Sequence, residues 1–135
     1  PLAIGKDLDG SYGTVPGTDS PGVKTFKTLV DKAGFKAGPF TAESYDAAAL
    51  IMLAMQAAGS KDSNDYKEHV MDVANAPGEK IGVGELAKAL QILKDGGDID
   101  YVGATGVELV GPGEAAGNYR EITIEGGAIT TVKFR

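Results

Sequence analysis

The stretch from Asp7 to Pro21 reads DLDGSYGTVPGTDSP and opens with two aspartates one residue apart. Alternating carboxylates of this kind begin a calcium loop, where they wrap a hard cation with oxygen ligands. Here the fifth loop position is Ser11, the sixth is Tyr12 and not glycine, and the twelfth is Thr18 in place of a bidentate glutamate. The calcium pattern fails on spacing. Asp95, Asp98 and Asp100 form a second acidic cluster, but its twelfth position is Gly106, and a helix end followed by a solvated turn accounts for it. The run Gly82–Ala87, GVGELA, matches the first part of a dinucleotide fingerprint. That chemistry requires a strand directly before the glycines, so that a helix N-terminus meets the pyrophosphate. The preceding NAPGEK (75–80) reads as a turn, which leaves a nucleotide-binding enzyme fragment using Gly82 and Gly84 as an alternative only. His69, the single histidine, lies at helical spacing from Asp65 and Asp72, without the second histidine of a zinc helix. With no cysteine and no serine or threonine beside a positioned base, the residues name no catalytic group, no metal site and no cofactor. Tyr12 and Tyr45 each start an element beside a loop, where side chains are available to a ligand.

The elements that must position these residues are mostly helical. Ser20-Pro21-Gly22 starts a helix, with proline tolerated in the first turn, and Val23, Phe26, Leu29, Val30 and Ala33 give it one apolar face ending at Gly34. Thr41 is expected to cap a second helix, with Glu43 in its first turn and Gly59 as its stop. Because that helix is apolar nearly all round, burial on several sides is expected. Ser63 is expected to cap a third helix, Asn64–Asn75, with Tyr66, Val70, Val73 and Ala74 inward. A fourth, Glu85–Lys94, carries Leu86, Leu90 and Leu93 on one stripe. From Ile99 the pattern turns to β-formers, and YREITIEGGAITTVKF reads as a hairpin about Gly126-Gly127. Residues 7–21 read as loop from Val15 onward, and Leu2-Ala3-Ile4 as the end of an element.

Composition bounds the function. A chain of 135 residues with 42% hydrophobic and 24% charged residues is globular in composition. Its net charge of −6 repels phosphate backbones and disfavours nucleic acid as a partner. The longest apolar run, Ala47–Met55, is far short of the roughly 20 residues that span a bilayer. The start on Pro1 reads as a trimmed piece of something longer. The second helix also asks for more apolar partners than the chain offers, which suggests an incomplete part of a larger α/β protein.

Three stretches together carry a resemblance: LDGSYGTVP (8–16), TAESYDAAALIMLAMQAAGSKD (41–62) and DIDYVGATGVELVGPGEAAGNYREITIEGGAITTVKF (98–134). In this order they resemble the C-terminal part of periplasmic substrate-binding proteins of the branched-chain amino-acid type, components of ABC transporters. The resemblance implies an incomplete piece of a two-lobe α/β type I periplasmic-binding fold, with about four helices plus a C-terminal β-hairpin. Residues 1–40 would belong to the second lobe, 41–107 to the first, and 108–135 to the crossover and terminal hairpin of the second.

By the same resemblance the chain is not an enzyme. The resemblance implies a periplasmic receptor that would close two lobes on an amino acid or small amide and deliver it to a membrane permease, or a sensory domain of the same fold. Family members place an acidic residue before a glycine against the ligand ammonium, and the matching position is Asp9 before Gly10, an aspartate where glutamate is commoner. Removing a zwitterion's charges from water requires a partner for each, and a cleft carboxylate is the natural one for an ammonium. Asp9, Tyr12 and Tyr45 are the expected ligand-binding residues. The missing N-terminal part of the fold would be a further partner. In its absence the apolar surface it leaves would favour self-association.

Overall fold

The computed structural model describes residues 5–135; the element end expected at Leu2–Ile4 lies outside the described residues. The chain divides into two compact units, Ser20–Ala116 and the pair of terminal segments 1–19 and 117–135. The first helix packs within the larger unit: its Phe26 and Val30 are buried in a cluster with Ala104, packed by Ala42, Tyr45 and Val83.

In the larger unit, α1 (Pro21–Lys32) is capped by the Ser20 hydroxyl, which accepts from the Val23 amide at 3.4 Å. Its buried stripe is narrower than expected: Phe26 and Val30 are inside, whereas Leu29 is exposed. Helix α2 (Thr41–Ala58) starts one residue earlier than a Thr41 cap requires. Phe40 occupies the cap position at φ 63°, and the Thr41 hydroxyl instead accepts from the Gly38 amide at 2.8 Å. Gly59, at φ 62°, ends the helix as expected. Burial of α2 runs along one stripe, Asp46, Ala49, Leu50, Leu53 and Ala54. Ala47, Ala48, Ile51 and Met52 face out, so the expected burial on several sides does not occur.

The third helix is broken in two, α3 (Ser63–Tyr66) and α4 (Val70–Ala74), by a 3-10 turn over Lys67–His69. Asp62, not Ser63, is its cap and accepts from the Asn64 amide at 2.9 Å. Strand β2 (Glu79–Gly82), helix α5 (Leu86–Lys94) and strand β3 (Ile99–Gly103) then form a βαβ unit, with β2 and β3 parallel and Ile81 opposite Tyr101. The core gathers here: Leu53, Val73, Ile81, Ala89, Ile99 and Tyr101 are all buried. Leu86, Leu90 and Leu93 of α5 pack against it from its edge. Strands β4 (Leu109–Gly111) and β5 (Glu114–Ala115) make a small antiparallel pair, and the Asn75 side chain clasps both the amide and the carbonyl of Leu109.

The terminal unit is a three-stranded antiparallel sheet of β1 (Tyr12–Pro16), β6 (Tyr119–Glu125) and β7 (Ala128–Phe134), in the order β1-β6-β7. The hairpin expected about Gly126-Gly127 is present, with positive φ at both glycines (61° and 73°) as a two-residue turn requires. The Val15–Pro16 end of β1 falls where loop was expected. The whole is a five-residue strand whose partner lies more than a hundred residues away, Tyr12 opposite Thr123 and Val15 opposite Arg120. No apolar side chain of this unit is buried among the described residues.

Candidate functional site

In open α/β units ligands meet the loops that follow the carboxyl ends of parallel strands. Two such loops leave β2 and β3, and adjacent residues in the second turn of α2 tie them down. Asp46 is only 2% exposed, and its carboxylate accepts four hydrogen bonds. Oδ1 takes the Tyr101 hydroxyl at 2.9 Å and the Ala104 amide at 2.8 Å. Oδ2 takes the amide and the hydroxyl of Thr105, each at 2.8 Å. The carboxylate's four acceptor sites are thereby filled. Burial, and next the charge of Asp46, push the Tyr101 phenol well above its ordinary 10. Ser20 adds a third tie by donating its hydroxyl to the Ala104 carbonyl at 2.9 Å. Asp46 was not singled out from the sequence. The available signal was a lone carboxylate at the head of the apolar run Ala47–Met55, since such a group is seldom buried unless paired.

Tyr45 holds the other loop. Its ring packs at 5.1 Å from Phe26, and its hydroxyl oxygen accepts from the Gly84 amide at 3.2 Å, keeping its own proton to donate. Strand β2 corrects the reading of NAPGEK as a pure turn: Glu79 and Lys80 are already strand, so a strand does precede the Gly82/Gly84 fingerprint. The turn is nonetheless occupied by the protein itself. The Glu85 carboxylate accepts from the Gly82 amide at 2.7 Å, and Tyr45 takes the Gly84 amide. A pyrophosphate at the start of α5 would therefore meet a carboxylate and find two amides used. Lys88 pairs with Glu79 and lies 3.8 Å from Glu85; the hydrogen bond to Glu79 raises its pKa above the ordinary 10.5.

Asp9 and Tyr12 lie in the terminal unit. The Asp9 carboxylate accepts from the Gly126 amide at 3.0 Å and the Gly127 amide at 2.9 Å, so it binds the hairpin turn through both oxygens. Each oxygen retains a lone pair facing elsewhere. Tyr12 is 88% exposed at the start of β1. His69 pairs with Asp72 at 3.4 Å on the rim of a cavity of about 620 Å³, which Pro77, Asp98 and Ile99 also line, beside the amino ends of β2 and β3.

These elements form a mixed α/β, partial type I periplasmic-binding-protein fold. The structure superposes on the leucine-binding protein LivK from Thermotoga maritima with a TM-score of 0.59, covering 94% of this chain and 31% of that one at 18% identity. In sequence the chain is 30% identical over 99 residues to BasB of Halobacterium salinarum, the substrate-binding protein of a chemotactic signal transduction system. That match takes in 73% of this chain and 24% of BasB, so the chain spans about a quarter of that relative's length. No family model matches. Both relatives are named as binding proteins.

Proposed function

We propose that this chain is part of a solute-binding receptor of the two-lobe type, taking an amino acid or small amide and delivering it to the membrane permease of an ABC importer from outside the membrane. The observation that supports this most is the pair of loops at the carboxyl ends of β2 and β3, each tied to α2 by a specific side chain, within a fold shared with LivK. A solute site needs such preset loops, because ordering them on binding would subtract from affinity.

In this reading Tyr45 offers its phenol proton to the solute, Tyr12 an exposed ring and hydroxyl, and Asp9 its outer lone pairs to an ammonium. Titration calorimetry of the protein at its natural length against amino acids and small amides, L-leucine included, is expected to show saturable binding. Asp9→Ala should then weaken it at least tenfold. No heat from any member of the panel at millimolar concentration would refute the receptor reading. Unchanged affinity in Asp9→Ala, with faster exchange of the Gly126 and Gly127 amides, would assign that carboxylate to the turn alone.

The likeness to BasB favours a second reading, in which the receptor serves sensing. Uptake of labelled solute and swimming response, compared in a strain lacking the protein, separate the two: loss of response with uptake intact selects sensing.

A further inference from the structure

We propose that Asp46 is a positioning residue for the solute site, setting the loop after β3 while its neighbour Tyr45 sets the loop after β2. The proposal rests on the receptor reading, in which those two loops face the solute. The Asp46 carboxylate cannot be the ammonium partner itself, since it is buried and all four of its acceptor sites are filled by Tyr101, Ala104 and Thr105. Its influence on a solute must pass through what it holds.

What it holds is the change of direction from β3 into the loop. Gly103, the last residue of β3, sits at φ 58°, and the two amides that follow both turn inward onto the carboxylate. With those amides turned inward, the orientation of the Thr105 peptide is set. The Ala104 carbonyl is set as well, by the Ser20 hydroxyl. Because Tyr45 and Asp46 are consecutive in one helical turn, α2 ties both loops from one place, in addition to the pairing of β2 with β3.

Asparagine at position 46 keeps the shape but, whichever way it is turned, aims an N–H₂ at one inward-pointing amide and one hydroxyl, so that side of the clasp must open. A loop that visits its bound geometry only part of the time lowers apparent affinity by that fraction. The test compares Asp46→Asn with Val73→Ala, which thins the core at a residue outside both loops and the helical turn that holds them. The probe is L-leucine, titrated well below each variant's melting temperature. Asp46→Asn is expected to raise Kd about tenfold or more and to speed exchange of the Ala104 and Thr105 amides, with the Gly84 amide unchanged. Val73→Ala is expected to lower Tm and leave Kd alone.

Wild-type binding with Kd equal in Asp46→Asn would overturn the positioning role and leave the receptor reading standing. Absence of wild-type binding to the whole amino-acid panel would overturn both. Should Asp46→Asn not fold, Tyr101→Phe removes one donor from the same carboxylate at a fully buried position that no solute reaches. It is expected to raise Kd about threefold, and an unchanged Kd there counts against the proposal equally.

Discussion

Three glycines around the Asp46 clasp allow its tightness to be measured, because two isolate one physical term each and the third combines them. Gly106 has φ 72° and open space where a Cβ would stand. Alanine there meets only the left-handed backbone penalty, about 1–2 kcal/mol, partly offset by a less free unfolded chain. Gly22, in the first turn of α1, has no such φ, but its Cβ would lie 2.8 Å from the Ala104 carbonyl oxygen, as well as against that of Gly103. The alanine gains up to about 1 kcal/mol of helix propensity and loses roughly 1–3 to overpacking against backbone, for a net loss of about 1–2. Gly103 combines both terms: φ 58°, with a Cβ 2.6 Å from the Tyr101 ring and 2.7 Å from the Asp46 carboxyl carbon. Alanine there must push the carboxylate off its donors, and each buried donor left unpaired costs about 1–3 kcal/mol. The sum for Gly103→Ala is therefore about 4 kcal/mol, against about 1 for Gly106→Ala. Urea unfolding followed by far-UV circular dichroism would show the difference as a midpoint lower by about 1–2 M in the Gly103 variant. Equal midpoints for the two variants would refute the view that the clasp is rigid.

Other consequences follow from the same contacts. Tyr101→Phe should destabilise by about 1–2 kcal/mol at pH 7, since a charged acceptor loses a donor. The Tyr101 phenol is raised above 10, so on alkalinisation the unfolded chain gives up this proton before the folded one. Stability is then full below about pH 10 and falls above it, and the gap between wild type and Tyr101→Phe should narrow there; a gap that widens would contradict the assignment. Leu53→Ala, at a fully buried site in α2, should cost about 3–5 kcal/mol through the cavity it opens, read by the same urea titration. Lys88 is also raised above its ordinary 10.5, so its contribution is complete at lower pH, and the midpoint difference between wild type and Lys88→Met should stay constant between about pH 6 and 9.

Much of the helical framework was legible because amphipathic spacing and punctuation are local. Gly59 and Gly34 end helices as read, and the glycine pair at 126–127 turns the hairpin. Two strands were not legible, and both for a reason of range. Tyr12–Pro16 has five residues including a glycine and a proline, and what makes it a strand is pairing with Tyr119–Thr123. Glu79–Gly82 carries only one buried side chain, Ile81, and owes its conformation to the parallel partner beyond α5. The helix starting at Thr41 shows a subtler limit. Threonine is a good cap by propensity, but here its hydroxyl closes a turn with Gly38 in both directions, leaving the cap position to Phe40.

Of the two side chains that tie the loops to α2, one was legible, and the other is the instructive one. Tyr45 drew attention because it starts a helix beside a loop, whereas Asp46, one residue on, did not. In a helix that carries no further charge from Ala47 to its end, a carboxylate facing the core is unfavourable unless the fold supplies donors. Those donors come from residues 101–105, more than fifty positions away, so no local pattern announces them. The separation also explains why Gly103 must be glycine: the carboxylate and the Tyr101 ring fill the space its side chain would need. A buried aspartate in an apolar helix and a glycine closing a strand of β-formers are therefore two ends of one contact. The Gly103→Ala and Asp46→Asn substitutions should fail in the same way, by freeing the Ala104 and Thr105 amides to exchange while the Gly84 amide, held by Tyr45, stays protected. Protection lost together at all three amides would mean that α2 moves as a whole, and that Tyr45 and Asp46 do not hold the two loops independently.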